Sequence, residues 1–197
     1  MELKILQVGE PALRQRAKAL SPTEISTREV QELIDRMRET MHGAPGVGLA
    51  APQIGIALQV AVIEDKPEYM RDATAEVLKE RERKPVPFHV IINPKITLHK
   101  GAQREFFEGC LSLAGFTAVV ERAAKVKVEC LDHRGEPKVI EASGWYARIL
   151  QHEIDHLHGT LYIDRMHTRS FMSVDNFNRY WKDKPVGEAA KSAGGKG

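Results

Sequence analysis

One five-residue stretch, His-Glu-Ile-Asp-His at 152–156, constrains the fold of this chain more than any other feature. Residues four apart on an α-helix lie about 40° apart around its axis, so His152 and His156 face the same side and can bind one metal ion. Glu153 projects about 60° beyond His156, close to that ion without being a ligand. The pattern predicts a metal-binding helix with a carboxylate beside the metal.

Apolar residues around this stretch indicate that the helix is buried. Leu150, Ile154 and Leu157 recur at helical spacing, and the helix is predicted to begin after Ser143 and to end at Gly159. The alternative interpretation is a pair of solvated histidines on an ordinary helix. Burial makes histidines without a partner unfavourable, so the metal site is preferred.

A third ligand is needed, because a catalytic metal site has three protein ligands and one open position. Two protease families do not fit. Metzincins have a third histidine where this chain has Tyr162, and thermolysin-like enzymes use a glutamate some twenty residues downstream, whereas the only glutamate after Glu153 is the remote Glu188. Of the two cysteines, Cys130 alternates with polar residues in a predicted strand and is interpreted as a buried apolar residue. Cys110 follows a glycine at a predicted strand end and is the leading candidate. A thiolate with two imidazoles suits Fe(2+), Zn(2+), Co(2+) or Ni(2+) without choosing among them.

Composition places the chain among ordinary globular proteins. Its 197 residues are 42% hydrophobic and 28% charged, enough for one domain with a proper core. The net charge of +2 argues against nucleic acid as the main partner. No apolar run reaches the roughly 18 residues of a membrane helix, the amino terminus lacks a secretory layout, and two cysteines cannot form a disulfide framework. We expect a catalytic domain over residues 1–183 and a disordered tail over 184–197.

The remaining patterns predict an α+β fold in which antiparallel strands surround the metal-binding helix. An amino-terminal amphipathic helix begins at a capping box on Ser21, or at a competing cap on Ser26, and ends near Gly43. Its apolar stripe is Val30, Leu33, Ile34, Met37 and Met41. A charged segment over 64–88 is expected to be a surface insertion with a helix at about 73–83. Strands are predicted at about 58–63, 89–92, 96–98, 116–121, 125–131 and 138–142, with a turn at Asn93-Pro94.

Three motifs, taken together and in this order, resemble the signature motifs of the peptide deformylase family. They are Gly46-Val47-Gly48-Leu49-Ala50-Ala51-Pro52-Gln53, Glu108-Gly109-Cys110-Leu111-Ser112 and Gln151-His152-Glu153-Ile154-Asp155-His156. The similarity runs from about Lys4 to Met166, and residues 143–148 with the charged insertion resemble the organellar, type 1A branch. The resemblance implies metal-dependent hydrolysis of the formyl group from the N-terminal formyl-methionine of nascent polypeptides, with release of formate.

The resemblance also implies the role of each residue at the metal. Cys110, His152 and His156 are expected to bind the ion. Fe(2+) is the expected ion, with Zn(2+), Ni(2+) or Co(2+) as substitutes. Glu153 is expected to take a proton from water as general base and to return it to the departing amine as general acid.

The other two motifs supply the implied contacts with the substrate. The side-chain amide of Gln53 and the backbone N–H of Leu111 are expected to stabilise the developing oxyanion. Gly46, Val47 and Gly48 are expected to bind the substrate, because the glycines leave room for its backbone to pair with the loop as an added strand.

An apolar pocket for the methionine side chain is also required. Trp145 and Ile149 lie seven and three positions before His152, on the same helical face, and we expect them to line this pocket with Phe106. Core packing is the alternative role for these three residues. Glu108 is expected at the substrate site, where it steadies His152 or a loop.

The expected partner is a formyl-methionyl peptide or nascent chain, and neither nucleic acid nor membrane is expected. A transient ribosome contact and a homodimer are further expectations. We expect a cytoplasmic protein if the source is bacterial, and a mitochondrial or plastid one if this is an organellar form without its transit peptide. The 64–88 insertion is interpreted as a subunit contact or as a lid.

Two other functions compete with this interpretation. A metallopeptidase that cleaves internal bonds would need a third ligand after His156, and the sequence offers none. A non-enzymatic protein with a structural metal would need a fourth ligand and would have no use for Glu153. Asp155 is expected to pair with Arg122 and not to bind the metal.

Overall fold

A five-stranded antiparallel sheet with a helix on each face forms the centre of the molecule. The computed structural model describes residues 3–182 and 184–188. The strands are β1 Gly48–Ala50, β2 Val60–Asp65, β3 Val86–Leu98, β4 Gln103–Glu108, β5 Phe116–Ala123, β6 Lys125–Leu131, β7 Pro137–Ser143 and β8 Met172–Ser173. The α-helices are α1 Pro22–Ile25, α2 Arg28–His42, α3 Ala75–Glu80, α4 Gly144–Leu157 and α5 Val174–Tyr180. Short 3-10 helices span Pro11–Arg14, Ala51–Ile54, Pro67–Met70, Tyr162–Asp164 and Thr168–Ser170.

The central sheet has the strand order β1-β2-β3-β6-β7, and every neighbouring pair is antiparallel. Successive side chains of a strand point to opposite faces. In β2, Val60 and Val62 pack with α2, whereas Ala61 and Ile63 pack with α4. A second sheet, β4-β5-β8, also contacts α4 and is covered on its other face by α5. Because α4 is enclosed in this way, its polar side chains need partners inside the protein.

The amino-terminal helical region consists of two helices. Ser21 caps α1 through the predicted capping box. The cap of α2 is Thr27, whose hydroxyl accepts a hydrogen bond from the N–H of Val30. The prediction of one helix with Ser26 as a competing cap is therefore wrong, because Ser26 has the helical backbone conformation at the end of α1 and Thr27 has the extended one that a cap needs. The predicted end is confirmed, since α2 stops before Gly43.

β3 is one continuous strand where two strands and a turn were predicted. Asn93 has a left-handed backbone conformation with φ of +50°, and the pairing of β3 with β6 shifts between Ile92 and Lys95. The Asn93 side chain accepts from the N–H of Leu20 at 2.9 Å and donates to its carbonyl at 2.7 Å. The predicted turn is thus an irregularity within a strand that fastens β3 to the segment before α1.

The bounds predicted for the second long helix are confirmed. α4 begins directly after Ser143, and Gly159 follows its end with φ of +73°. A Cβ at Gly159 would lie 2.5 Å from the carbonyl oxygen of Arg14, so only glycine fits this turn.

Residues 183 and 189–197 lie outside the described residues, and most of the predicted tail is among them. Within 184–188, Val186 is buried. The proposed domain boundary at residue 183 stays a prediction. In the part of the chain that the structure describes, no helix combines the length and apolar character needed to cross a membrane.

Candidate metal centre

α4 directs three polar side chains toward one cavity. The imidazole rings of His152 and His156 lie with their centroids 4.9 Å apart, and their Nε2 atoms are separated by 3.3 Å. Glu153 and His156 are buried, and the His152 side chain retains only 12% exposure. The two histidines therefore face one point, as the helical spacing predicted.

Cys110 completes a three-donor group two residues after the end of β4. Its Sγ lies 3.2 Å from Nε2 of His156, and the donor atoms of Cys110, His152 and His156 all lie within 4.8 Å of one another. In a tetrahedral site with bonds of about 2.0–2.1 Å to nitrogen and about 2.3 Å to sulfur, the nitrogen–nitrogen and nitrogen–sulfur edges are roughly 3.3 and 3.6 Å. The donor spacing thus fits a single metal ion. Cys130 packs in the core cluster beside α4 and is not part of the group.

Glu108 orients the His152 ring. Nδ1 of His152 lies 3.1 Å from Oε2 of Glu108. Burial raises the pKa of Glu108, but hydrogen bonds with Arg122 and His152 outweigh that effect and hold it well below its usual range. An ionised carboxylate only accepts, so Nδ1 of His152 donates and Nε2 is turned toward the metal position.

The same surroundings favour positive charge at the metal position. Burial lowers the pKa of His152, but hydrogen bonds with Cys110 and Glu108 outweigh it, and the pKa lies well above its ordinary value. Burial lowers the pKa of His156 well below its ordinary value, which keeps that imidazole neutral with a lone pair available. A divalent cation would take the place of the His152 Nε2 proton.

Two buried arginines donate hydrogen bonds to the Glu108 carboxylate. Arg122 donates to both of its carboxylate oxygens, at 2.8 and 2.9 Å, and Arg148 donates to it as well as to two backbone carbonyls of β4 and β5. Arg122 also donates to Asp155 at 2.5 Å. The predicted pairing of Asp155 with Arg122 is confirmed, and α4 is thereby tied to β5.

The carboxyl group of Glu153 is buried in the wall of the cavity. Oε2 is buried and unpaired among the described residues, and burial raises the pKa of the carboxyl from 4.5 to about 7. A Cβ placed on Gly48 would lie 2.2 Å from the other oxygen, Oε1. Gly48 is therefore required by Glu153, and not only by an approaching substrate backbone. A carboxyl with this pKa can accept and return a proton near neutral pH.

Gln53 and Leu111, the two predicted oxyanion donors, lie beside Cys110. Oε1 of Gln53 accepts from the N–H of Ala50 at 2.9 Å, which fixes the side chain. Its Nε2 donates to Oγ of Ser112 at 3.1 Å and lies 3.5 Å from Sγ of Cys110. The amide donor is thus presented at the edge of the three-donor group.

A cavity of about 590 Å³ opens over this group. The predicted substrate residues on its wall are Gly46, Val47, Gly48, Glu108, Trp145 and Ile149. Phe106 is not on the wall, which corrects the expectation for that residue. It is buried behind Trp145, with the two rings edge-on and their centroids 6.2 Å apart. Phe106 supports the pocket wall without reaching the cavity.

The 64–88 insertion returns to the cavity at its carboxyl end. Arg83 lines the cavity and donates twice to the fully buried Asp65, at 2.8 Å each. The guanidinium carbons of Arg81 and Arg83 lie 5.1 and 5.4 Å from the Trp145 ring centroid, and the backbone N–H of Trp145 donates to the Arg81 carbonyl at 2.8 Å. The insertion therefore holds Trp145 in place.

Three residues of the site were not singled out from the sequence. Arg148 lies four positions before His152, so the helical-face argument used for Trp145 and Ile149 would also have identified it. The side-chain amide of Gln7 donates to the Leu111 carbonyl at 2.9 Å and accepts from the backbone N–H of Ala114 at 3.2 Å. No periodicity in the sequence indicates these contacts. Ser112 belongs to the second motif, and only the fold places its hydroxyl against Gln53.

The fold and the cavity define an α+β protein of antiparallel sheets. In its cleft, three side chains that can bind one metal ion lie beside a buried carboxylate. The polypeptide deformylase family model matches residues 2–171. The chloroplastic peptide deformylase 1A of Solanum lycopersicum is 47% identical over 174 residues, which are 88% of this chain and 63% of that protein. Peptide deformylase 1 of Bifidobacterium longum is 46% identical over 193 residues, 98% of this chain and 86% of that protein.

A solved structure supports the same assignment. The class I type b peptide deformylase of Acinetobacter baumannii, determined with Met-Ala-Ser bound, has a TM-score of 0.74 at 33% identity and covers 84% of this chain and 99% of its own. The chain belongs to the polypeptide deformylase family, and the resemblance noted from the three motifs is confirmed.

Proposed function

We propose that this chain hydrolyses the formyl amide of N-terminal formyl-methionine on nascent polypeptides, releases formate, and depends on a bound metal ion. Its family comprises peptide deformylases, hydrolases that act on the formyl amide of nascent peptides. The observation that carries the proposal is the unpaired carboxylate oxygen of Glu153 beside three converging metal donors in an open cavity.

Cys110, His152 and His156 would hold the ion, with Fe(2+) as the expected metal and Zn(2+), Ni(2+) or Co(2+) as substitutes. The chemistry supplied there when a metal is bound is polarisation of a carbonyl oxygen and a lowering of the pKa of water from 15.7 to about 7. Glu108 keeps the His152 ring in the orientation this requires.

Glu153 moves the proton. Its carboxylate accepts a proton from the water whose oxygen attacks the formyl carbon, and burial, which raises its pKa, makes it a stronger base than a solvated carboxylate. The same carboxyl then donates the proton to the methionine nitrogen as the bond between carbon and nitrogen breaks. Formic acid and a free amino terminus leave, Glu153 is again ionised, and the formic acid loses its remaining proton to the amine or to water to give formate.

Gln53 and Leu111 supply hydrogen bonds where negative charge develops on the formyl oxygen. The 3.5 Å contact between Nε2 of Gln53 and Sγ of Cys110 is long for a hydrogen bond. A developing oxyanion can therefore replace it while Gln53 keeps its 3.1 Å hydrogen bond to Oγ of Ser112. The Leu111 backbone N–H follows Cys110 directly. Loss of one such donor is expected to cost on the order of 3 kcal/mol in the transition state.

The substrate backbone pairs with the open edge of β1. β1 is the terminal strand of the central sheet, and Gly46, Val47 and Gly48 line the cavity next to that edge. Trp145 and Ile149 receive the methionine side chain. The Acinetobacter baumannii relative is solved with Met-Ala-Ser, a peptide with the amino-terminal methionine that deformylation would leave.

The direct test is formate release from formyl-Met-Ala-Ser, measured anaerobically with Fe(2+) and repeated with Zn(2+). Acetyl-Met-Ala-Ser serves as the matched control for the acyl group. We expect formate with at least one metal and much slower release of acetate. Absence of formate with both metals would refute the proposal, and cleavage of internal peptide bonds would indicate a metallopeptidase.

We further infer that residues 1–183 form the catalytic domain. The relatives include a chloroplastic protein and a bacterial one, so the location follows the source cell: the cytoplasm in a bacterium, and the mitochondrion or plastid for an organellar form. The transient ribosome contact and the homodimer remain predictions.

A further inference from the structure

The segment that precedes the 3-10 helix Pro11–Arg14 contacts two of the three sequence motifs. The N–H of Leu6 donates to the Gln53 carbonyl at 2.8 Å, and the N–H of Val8 donates to the Ser112 carbonyl at 2.8 Å. Gln53 and Ser112 are also joined directly, through the amide of one side chain and the hydroxyl of the other. The amino-terminal segment therefore holds the loop that carries Gln53 against the loop that carries Ser112.

Gln7 lies between these two backbone donors and binds the second loop through its side chain. Its Nε2 donates to the Leu111 carbonyl at 2.9 Å, and its Oε1 accepts from the backbone N–H of Ala114 at 3.2 Å. A further contact, from Nε2 to the Ile5 carbonyl, is 3.5 Å long. In the described part of the chain, no other hydrogen bond reaches the Leu111 carbonyl. Both ends of one amide thus hold the loop that follows β4.

This loop contains a turn that directs the N–H of Leu111. The Cys110 carbonyl accepts from the N–H of Leu113 at 3.0 Å. Because the peptide bond is planar and trans, the Cys110 carbonyl and the Leu111 N–H, which belong to one peptide unit, point in opposite directions. The Leu111 carbonyl belongs to the next unit. Only the φ and ψ rotations of Leu111 separate the two units, so hydrogen bonds that hold both units fix the direction of this N–H.

We propose that Gln7 is a positioning residue for oxyanion stabilisation. By holding the Leu111 carbonyl and the end of the turn, its amide keeps the Leu111 N–H directed at the place where negative charge develops on the formyl oxygen. Gln7, Gln53 and Leu111 all line the cavity, so this amide lies beside the reacting group. The inference rests on the proposed deformylation, in which Gln53 and Leu111 donate to that oxygen, and it adds a residue that acts through one of them.

Two other roles of Gln7 compete with positioning. Direct contact with the substrate is one of them, because Gln7 is exposed and lines the cavity. Both ends of its amide are already bonded to the loop, which favours the positioning role. A purely structural role is the other, since side-chain hydrogen bonds to the backbone also stabilise a folded loop. Positioning predicts a change in kcat, substrate contact a change in KM, and a structural role a change in Tm alone.

The test compares the wild type with Gln7→Met and Gln7→Glu under identical metal loading. Methionine keeps the length of the side chain and removes both hydrogen bonds. An ionised glutamate can still accept from the Ala114 N–H but cannot donate to the Leu111 carbonyl. Removal of one oxyanion donor costs about 10²–10³-fold in kcat, and a misdirected donor loses part of that. With formyl-Met-Ala-Ser we expect kcat to fall by about tenfold in each variant, with full metal content and with KM within about twofold of the wild type.

A thioformyl substrate separates oxyanion positioning from a general loss of activity. Sulfur accepts hydrogen bonds weakly, so the donors contribute less when negative charge develops on the sulfur of thioformyl-Met-Ala-Ser. Release of the free amino terminus is measured for both peptides. We expect Gln7→Met to lose about tenfold in kcat on the formyl peptide and less than about threefold on the thioformyl peptide. A change that only loosens the loop would lower both rates equally.

Gln31→Met is the matched control. The amide of Gln31 also joins remote backbone segments, since its Nε2 donates to the carbonyls of Ile25 and His133 at 2.8 Å each, and this residue is not on the cavity wall. Its Tm should fall by a few degrees, as in Gln7→Met, because each variant loses the same kind of hydrogen bond. Its kcat on both peptides should equal that of the wild type.

Four results would overturn the proposal. They are wild-type kcat in metal-loaded Gln7→Met, an equal loss on the formyl and thioformyl peptides, a raised KM with unchanged kcat, which would indicate a substrate contact, and a loss of metal with unchanged kcat per bound ion, which would indicate an effect on Cys110. Any of these results, with normal turnover by the wild type, refutes the role of Gln7 alone. No turnover by the wild type refutes the deformylase proposal and the role of Gln7 with it.

Discussion

Replacing Gly48 with alanine tests the placement of Glu153 without changing any ionisable group. The new Cβ would lie 2.2 Å from Oε1 of Glu153 and 2.5 Å from its carboxyl carbon, whereas real Cβ contacts are not found below 3.0 Å. The Glu153 carboxylate must therefore retreat by at least 0.8 Å from its present position.

The expected loss is catalytic. Misplacing a reacting group by about 1 Å costs on the order of 100-fold in rate, which is about 2.7 kcal/mol of activation free energy. The free energy of unfolding should change little. Alanine in a strand is favoured over glycine by roughly 0.5–1 kcal/mol, and an off-rotamer Glu153 costs about the same. Because Gly48 also lines the cavity where the substrate backbone is expected to pair, KM is measured separately, and the displacement of Glu153 is tested by the fall in kcat.

The assay is steady-state formate release from formyl-Met-Ala-Ser, with metal content and Tm measured on the same samples. Gly46→Ala is the matched control, since its Cβ would meet the flexible end of Leu111 at 2.8 Å and should lower kcat by less than tenfold. In Gly48→Ala, adding Glu153→Asp shortens the acid and should restore part of the loss, so that the two changes are non-additive. Wild-type kcat in the metal-loaded Gly48→Ala variant would refute the reasoning, as would a loss of metal with no loss of fold.

Four further results are expected at the same site. Glu153→Gln should keep metal and fold while formate release falls by about 10²–10⁴-fold, and near-normal turnover would remove the proposed base. In metal-free protein this variant should raise the free energy of unfolding more at pH 8 than at pH 5. Burial raises the pKa of Glu153 from 4.5 to about 7, so the native state is increasingly penalised as pH rises through that window. The penalty reaches about 3 kcal/mol, and an equal gain at both pH values in urea titrations would contradict it. Cys110→Ala should abolish stoichiometric metal binding in elemental analysis, and full occupancy would indicate another donor set. Arg148→Met should lower the free energy of unfolding by about 3 kcal/mol, with partial recovery in Arg148→Lys, and urea titrations that match the wild type would show that Glu108 does not need it.

The parts of the site that lie on one helix were predictable from the sequence. Helical periodicity gave the common face of His152 and His156 and the position of Glu153 beside them, and start and stop signals at Ser143 and Gly159 gave the bounds of α4. Elimination among the remaining soft ligands favoured Cys110, and the structure brings its sulfur to the two imidazoles. Local patterns are sufficient here, because the spacing along a regular helix fixes which side chains meet.

Contacts between remote segments were not predictable in this way. Nothing in the sequence around Gly48 indicates that its missing side chain is the space occupied by Glu153. Phe106 was expected in the methionine pocket, but its ring is buried in contact with Trp145 and is not on the cavity wall. For the amino-terminal helix the sequence offered Ser21 and Ser26 as caps, but the cap of α2 is Thr27, which has the extended backbone conformation that a cap needs. In each case the outcome depends on side-chain packing or backbone conformation, which the periodicity and composition of the sequence do not determine.

The buried charges explain how one helix environment supports two carboxyl groups with different tasks. Burial by itself would protonate both Glu108 and Glu153, because an isolated carboxylate is costly away from water. Hydrogen bonds with Arg122 and His152 hold the pKa of Glu108 well below its usual range and keep it ionised as the acceptor that orients His152, and Arg148 donates to the same carboxylate. No side chain or backbone group among the described residues donates to Oε2 of Glu153, and burial raises the pKa of this carboxyl to about 7. The hydrogen-bond donors around Glu108, which Glu153 lacks at Oε2, therefore decide which acid orients a ligand and which acid moves a proton.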